Sequence, residues 1–194
     1  MITPLCHSRI LITGGSPSDS SLLPYEYAVG RSALLVNLAT NSVEEKPQMT
    51  QGRYHHSVAV IGNMAYVIAG RYPSTYRSVT SVERYDVISE RWSTLTAQFD
   101  QFAIYTSSIT RNSRYIMTFG GMYAGDPSSS TLVRRFDHLK PMGAWVTMRL
   151  DSNKPCRYTY GLMSLGRTSA PEEANNILLF GGINFGWKDD SMAV

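Results

Sequence analysis

The stretch RYHHSVAVIGNMAYVIAG (Arg53 to Gly70), followed after a polar loop by SVERYDVISERW (Ser81 to Trp92), decides the fold. HSVAVIG and MAYVIAG are β-rich runs on either side of Gly62-Asn63, a tight hairpin signal. SVERYDV alternates outward polar with inward apolar residues. The Ser89-Glu90 turn follows, and RWSTL makes a last short strand. The unit reads as four antiparallel strands, a to d.

The unit recurs. Small pairs closing strand b end at Gly15, Gly70, Gly121 and Gly182, spaced by 55, 51 and 61 residues. Tyr85-Asp86 returns 51 residues on as Phe136-Asp137, and Trp92 returns 53 residues on as Trp145. The first copy carries Val36-Asn37 and Val43 at those places, and the second carries Ala69 where the others have a first glycine. A period near 50 residues points to propellers and arrays. No window shows a sustained helical period, so the expected class is all-β.

At these residues the chain resembles the kelch family of β-propellers. The resemblance implies a kelch-type propeller of about three to three and a half four-stranded blades over residues 1–194. Blade one is expected at about 8–49 and partial, its strand a missing or degenerate. Blade two follows at about 53–97, blade three at about 101–149, and a partial blade four at about 157–194. With both ends cutting a blade, the expected working unit is a piece of a longer propeller, or a half completed by another chain. The repeated residues Gly14, Gly15, Gly70, Gly120, Gly121, Gly181 and Gly182 suit left-handed or closely approached backbone. Tyr85, Phe136, Trp92 and Trp145 suit the wedges between blades. Asp86 and Asp137 suit the c–d turn as acceptors of backbone N–H. Blade one is expected to be degenerate or packed differently.

Composition excludes several classes. A hydrophobic fraction of 43% suits a globular chain, and no run reaches the ~18 apolar residues of a membrane span. MITPLCHSRI lacks the basic start and apolar centre of a signal peptide, leaving the cytoplasm or nucleus as the default. Cys6 and Cys156 sit in no CxxC or other metal spacing, and reduced thiols are expected rather than a disulfide. The net charge of +3 comes without a basic block, so nucleic acid is not expected as a partner.

Strand direction alternates within a blade. The b–c loops and d–a links therefore emerge on one face, and the a–b and c–d turns on the other. The b–c loops are long and unequal, and recognition usually resides on such loops. Partner-binding candidates there are Arg31, Arg71, Tyr72, Tyr76, Arg77 and Tyr123. The d–a links add Arg53 with Tyr54 and Arg157 with Tyr158. By resemblance to kelch-like substrate receptors, an arginine opening strand a lines the binding face. Arg and Tyr favour interfaces, and this set suits an acidic or phosphorylated segment of another protein.

Enzyme readings find little support. A galactose-oxidase-type copper site would need His55 and His56 on one centre, and adjacent residues on a strand point oppositely. No G-x-S-x-G elbow is present, and the Gly-Gly pairs do not open helices. The expectation is a non-catalytic interaction scaffold with no cofactor and no metal. The alternatives are a structural subunit of a large assembly whose blade edges pair with another chain, and a kelch-based metallo-oxidase.

Overall fold

The computed structural model describes residues 1–5, 8–15, 30–73, 75, 77–99, 104–121, 132–140, 142–149, 161–164 and 177–180. Among them lie three four-stranded antiparallel sheets and one strand pair. The first sheet runs β1 (Ile2–Pro4), β2 (Arg9–Thr13), β3 (Ala33–Asn37), β4 (Ser42–Glu45). The second runs β5 (Ser57–Ile61), β6 (Met64–Ile68), β7 (Glu83–Asp86), β8 (Arg91–Thr94). The third runs β9 (Ser107–Arg111), β10 (Tyr115–Phe119), β11 (Leu132–Asp137), β12 (Val146–Arg149). The pair is β13 (Gly161–Ser164) with β14 (Ile177–Phe180). In each sheet the strands are neighbours in chain order, the a-b-c-d meander of a propeller blade. Strand β9 lies against both β5 and β13, so the first strands of successive sheets adjoin.

The first blade, expected to have a missing or degenerate strand a, has a short one. Ile2 pairs with Ile12, and Pro4 with Ile10. A three-residue strand carries almost no alternation signal, and Pro4 is tolerated because β1 is an edge strand. The blade also keeps the common geometry. Val36 faces Val43 as Tyr85 faces Trp92, and the Asn37 side chain accepts the Ala39 N–H at 3.0 Å. Asp86 accepts from Ile88 N at 2.9 Å, and Asp137 from Leu139 N at 3.1 Å. Asparagine thus replaces aspartate in the turn without changing the bond.

The a–b hairpin of the second sheet closes between Ile61 and Met64 with Gly62 at φ +56°. After strand b, Gly14, Ala69 and Gly120 share one left-handed conformation, at φ +59°, +60° and +62°. Ala69 is therefore no departure in backbone. At the next position a Cβ on Gly70 would lie 2.8 Å from the Tyr54 carbonyl oxygen and 2.9 Å from the His56 Cβ, and only glycine fits.

Side chains alternate into two wedges. On β6, Ala65 and Val67 join Leu11, Met49, Val58 and Tyr85 against the first sheet. Tyr66 and Ile68 join Phe99, Ile116 and Phe136 against the third. Met117, Phe119 and Val133 start the next wedge, with Ile177 packed on it. Tyr85 and Phe136 are both buried, with ring centroids 4.9 Å from Trp92 and 5.2 Å from Trp145. Trp92 donates its indole N–H to the Pro47 carbonyl at 2.6 Å, tying the second blade to the first.

Candidate functional site

The d–a link before β5 and the b–c loop after β6 meet on one face. Tyr54 and Arg71 exchange backbone hydrogen bonds of 3.0 and 2.8 Å. The link is also joined to both neighbours: Gly15 N donates to Arg53 O at 3.2 Å, and Tyr105 N donates to His55 O at 3.1 Å. The expected coincidence of d–a links and b–c loops on one face is thus seen in hydrogen bonds.

Under this face lies a buried polar network. Arg53 and Glu83 form an ion pair at 2.7 Å with both side chains fully buried. Arg53 also donates to Ser81 O at 2.8 Å, Ser81 Oγ at 2.9 Å and Ala69 O at 3.2 Å. Glu83 accepts from Thr50 N at 2.6 Å and Gln51 N at 3.1 Å. Gln51 Oε1 in turn accepts from Ser81 at 2.6 Å and from Tyr72 OH at 3.0 Å. Burial pulls the Arg53 guanidinium below its ordinary value against the opposing pull of Glu83, and it remains a cation.

Two expectations fail here. Arg53 does not line the binding face; it is buried structure. Glu83 does not point outward with the polar residues of strand c, since it shares the buried side of Tyr85. The reason is the same for both. A residue's place in a strand gives its side, but the pairing of two charges thirty residues apart in sequence is a tertiary fact. The third blade shows the converse: Arg134 holds the position of Glu83 and lies buried over the Phe99 ring at 5.1 Å.

The remaining candidates divide. Arg31 donates from Nε to the Met49 carbonyl at 2.6 Å, and Tyr72 belongs to the Gln51 network, so both brace the face. Tyr54 and Arg71 are half-buried on the face and Arg77 is exposed. Tyr76, Tyr123, Arg157, Tyr158, Gly181 and Gly182 lie outside the described residues, as do Cys6 and Cys156.

Sequence reasoning missed two side chains that belong to the face. His55 and Tyr105 occupy the same place before the first strands of their blades, both in the left-handed region at φ +55° and +59°. The His55 ring packs between those of Tyr54 and Tyr105, with centroids 4.5 and 4.2 Å away and planes tilted by 52° and 45°. Counting back two residues from Ser57 and from Ser107 would have aligned them. His55 and His56 also prove to precede β5 rather than lie on it. The left-handed bend at His55, not strand alternation, turns one ring out and the other in. His55 is exposed, and His56 is buried with Nε2 2.9 Å from Thr13 Oγ1. Burial, with the Met1 ammonium, Arg53 and His55 adding to it, holds the His56 imidazole well below the usual histidine value. Burial and then Arg71 lower His55. Gly15, Tyr54, His55 and His56, with Met1, line a cavity of ≈ 530 Å³.

Those pKa directions predict a pH dependence. Both histidines are harder to protonate in the fold than in the unfolded chain. As pH falls below about 6.5 the unfolded chain takes up protons first, so stability is full above that value and declines below it. The expected slope approaches about 1.4 kcal/mol per pH unit for His56 alone. Urea midpoints between about pH 7 and pH 5 check this, and His56→Gln is expected to flatten the curve.

Among the described residues, no group of three or more His, Cys, Asp or Glu side chains is placed to hold a metal, and no helix is long and apolar enough to cross a membrane. Residues 52–97, which include the second sheet, match the Kelch motif. No curated protein matches the chain. The strand pairing that the matched segment shows in β5 to β8 is repeated on either side of it. Residues 52–97 carry the Kelch motif, and the four-stranded sheets before and after them repeat its strand order, an arrangement consistent with the blades of a kelch propeller.

Proposed function

We propose that the chain is a non-catalytic protein-interaction scaffold, holding other proteins on the face formed by its b–c loops and d–a links. One observation carries this reading. The repeated residues are consumed by wedges, turns and glycine bends, while among the described residues the side chains left accessible on the loop face are His55 in one blade against Tyr105 at the same place in the next, with Arg71 and Arg77 on the second blade's b–c loop. Kelch motifs commonly serve protein–protein interaction, and a rigid sheet presenting variable loops suits that use. Aromatic rings and arginines are the residue types that dominate binding energy at interfaces.

The test is affinity capture with the full chain. Tyr105→Ala combined with Arg77→Ala is expected to strip the captured proteins by about tenfold while the unfolding midpoint holds. Ile88→Ala, on the opposite face, is expected to leave capture unchanged. Equal capture by all three would sink the reading.

A further inference from the structure

The third blade carries a charge at its a–b and c–d end that its neighbours do not share. Arg111, Arg114, Arg135 and Lys140 stand there, and among the described residues of that sheet the single carboxylate is Asp137. Asp137 is already taken, accepting from Arg114 at 2.7 and 3.1 Å and from Leu139 N at 3.1 Å. The c–d ends of the first two blades carry acids instead: Glu44 and Glu90 share Lys46 at 2.7 and 2.6 Å. The four cations are scattered in the sequence, which shows no basic block, and strand pairing gathers them. Tyr115 pairs with Arg111 on one side and Asp137 on the other. The guanidiniums of Arg114 and Arg135 each lie 5.0 Å from the centre of its ring. His138 N donates to Arg114 O at 3.1 Å, tying the two turns together.

The same end holds apolar side chains out in water. Leu139 is 62% exposed, Met142 80%, and Val146, which pairs with Arg135, 47%. Exposed Lys140 stands between the first two. Hydrogen bonds from Lys140 N to Asp137 O at 2.9 Å and from Gly143 N to Lys140 O at 2.7 Å fix the turn, so its tips are presented rather than folded back. Exposed apolar surface rimmed by charge marks an interaction site. Cations set among apolar tips match a bilayer with anionic headgroups, where the charges meet the headgroups and the tips enter the acyl boundary. A nucleic acid would call for a bare ring on which to stack a base, and two guanidiniums already occupy the ring of Tyr115. We propose that this end of the third blade docks the chain on an anionic membrane surface. Lys140 and the arginines meet the headgroups, and Leu139 and Met142 insert between them. The b–c loops emerge on the other face and stay in water, so this docking is independent of the loop-face reading above.

The test is co-sedimentation of the full chain with vesicles of phosphatidylcholine containing about one third phosphatidylserine, set against phosphatidylcholine alone. Binding to the anionic vesicles is expected to be about tenfold tighter, with added salt eroding the difference. Lys140→Glu is expected to weaken it about tenfold, and Lys140→Arg to keep it. Leu139→Ser combined with Met142→Ser is expected to weaken binding by a similar factor that added salt does not change. Ile88→Ser, at an equally exposed tip beside Glu90 in the second blade, is expected to change nothing. All these side chains are exposed, so the unfolding midpoints are expected to hold. Equal binding to the two vesicle types, or binding that survives Lys140→Glu, would overturn the proposal. Preference for a labelled oligouridylate over the anionic vesicles would give the patch to nucleic acid and overturn it as well. Tyr105→Ala with Arg77→Ala is expected to leave vesicle binding unchanged, so membrane docking and protein capture fail separately.

Discussion

Replacing Arg53 by alanine is expected to cost about 3–5 kcal/mol of stability, measured as a loss in the urea unfolding free energy. The expectation follows from what the substitution leaves behind. Glu83 would remain fully buried with its negative charge unmatched, holding only the N–H groups of Thr50 and Gln51. Two carbonyl oxygens, of Ala69 and Ser81, would lose a charged donor as well. Glu83→Ala is expected to do similar damage from the other side. Because the two residues share one network, the double substitution should cost well under the sum of the singles. A loss below about 1 kcal/mol for either single change would show that the pair contributes no more than a surface ion pair. The loops are expected to respond together, since the network ties the d–a link at Thr50 and Gln51 to the b–c loop at Ser81.

Phe136→Ala is expected to cost about 3–5 kcal/mol, the range for deleting a fully buried aromatic ring. Phe136 is 1% exposed and lies 5.2 Å from the Trp145 ring, in the wedge that Tyr66, Phe99 and Ile116 also fill. Its loss opens a hole bounded by two sheets, so neither sheet alone can collapse into it. Ile88→Ala serves as the comparison. Ile88 is 75% exposed at the tip of a c–d turn, and its truncation is expected to stay within about 0.5 kcal/mol. Comparable losses at the two sites would mean that the seam between the second and third sheets is not a core.

The repeat was legible because its residues perform local jobs. A glycine bend, an Asx turn or an aromatic next to a tryptophan each needs only its own neighbours, so spacing alone exposes them. Ala69 and Asn37 looked like departures, yet the backbone treats them as the residues they replace. Strand β1 was missed because three residues leave no pattern to read. The site was less legible. Arg53 and Arg71 look equivalent as loop-face arginines, and only their surroundings separate a buried ion pair from a half-exposed cation. His55 and Tyr105 belong to the face by virtue of backbone dihedrals, and no composition rule signals a left-handed histidine or tyrosine.

The division of β6 between two wedges has a consequence for how the molecule comes apart. No blade owns the core that holds it; each sheet lends one side to the neighbour before it and the other to the neighbour after it. The natural unit of disassembly is therefore the seam. Damage at one seam lets two sheets loosen at once, whereas a cleaved b–c loop severs the chain and leaves both adjoining seams closed. Nicking within the loops should be survivable, and the b–c loops can be long and unequal because the seams, not the chain's continuity across them, keep the blades assembled.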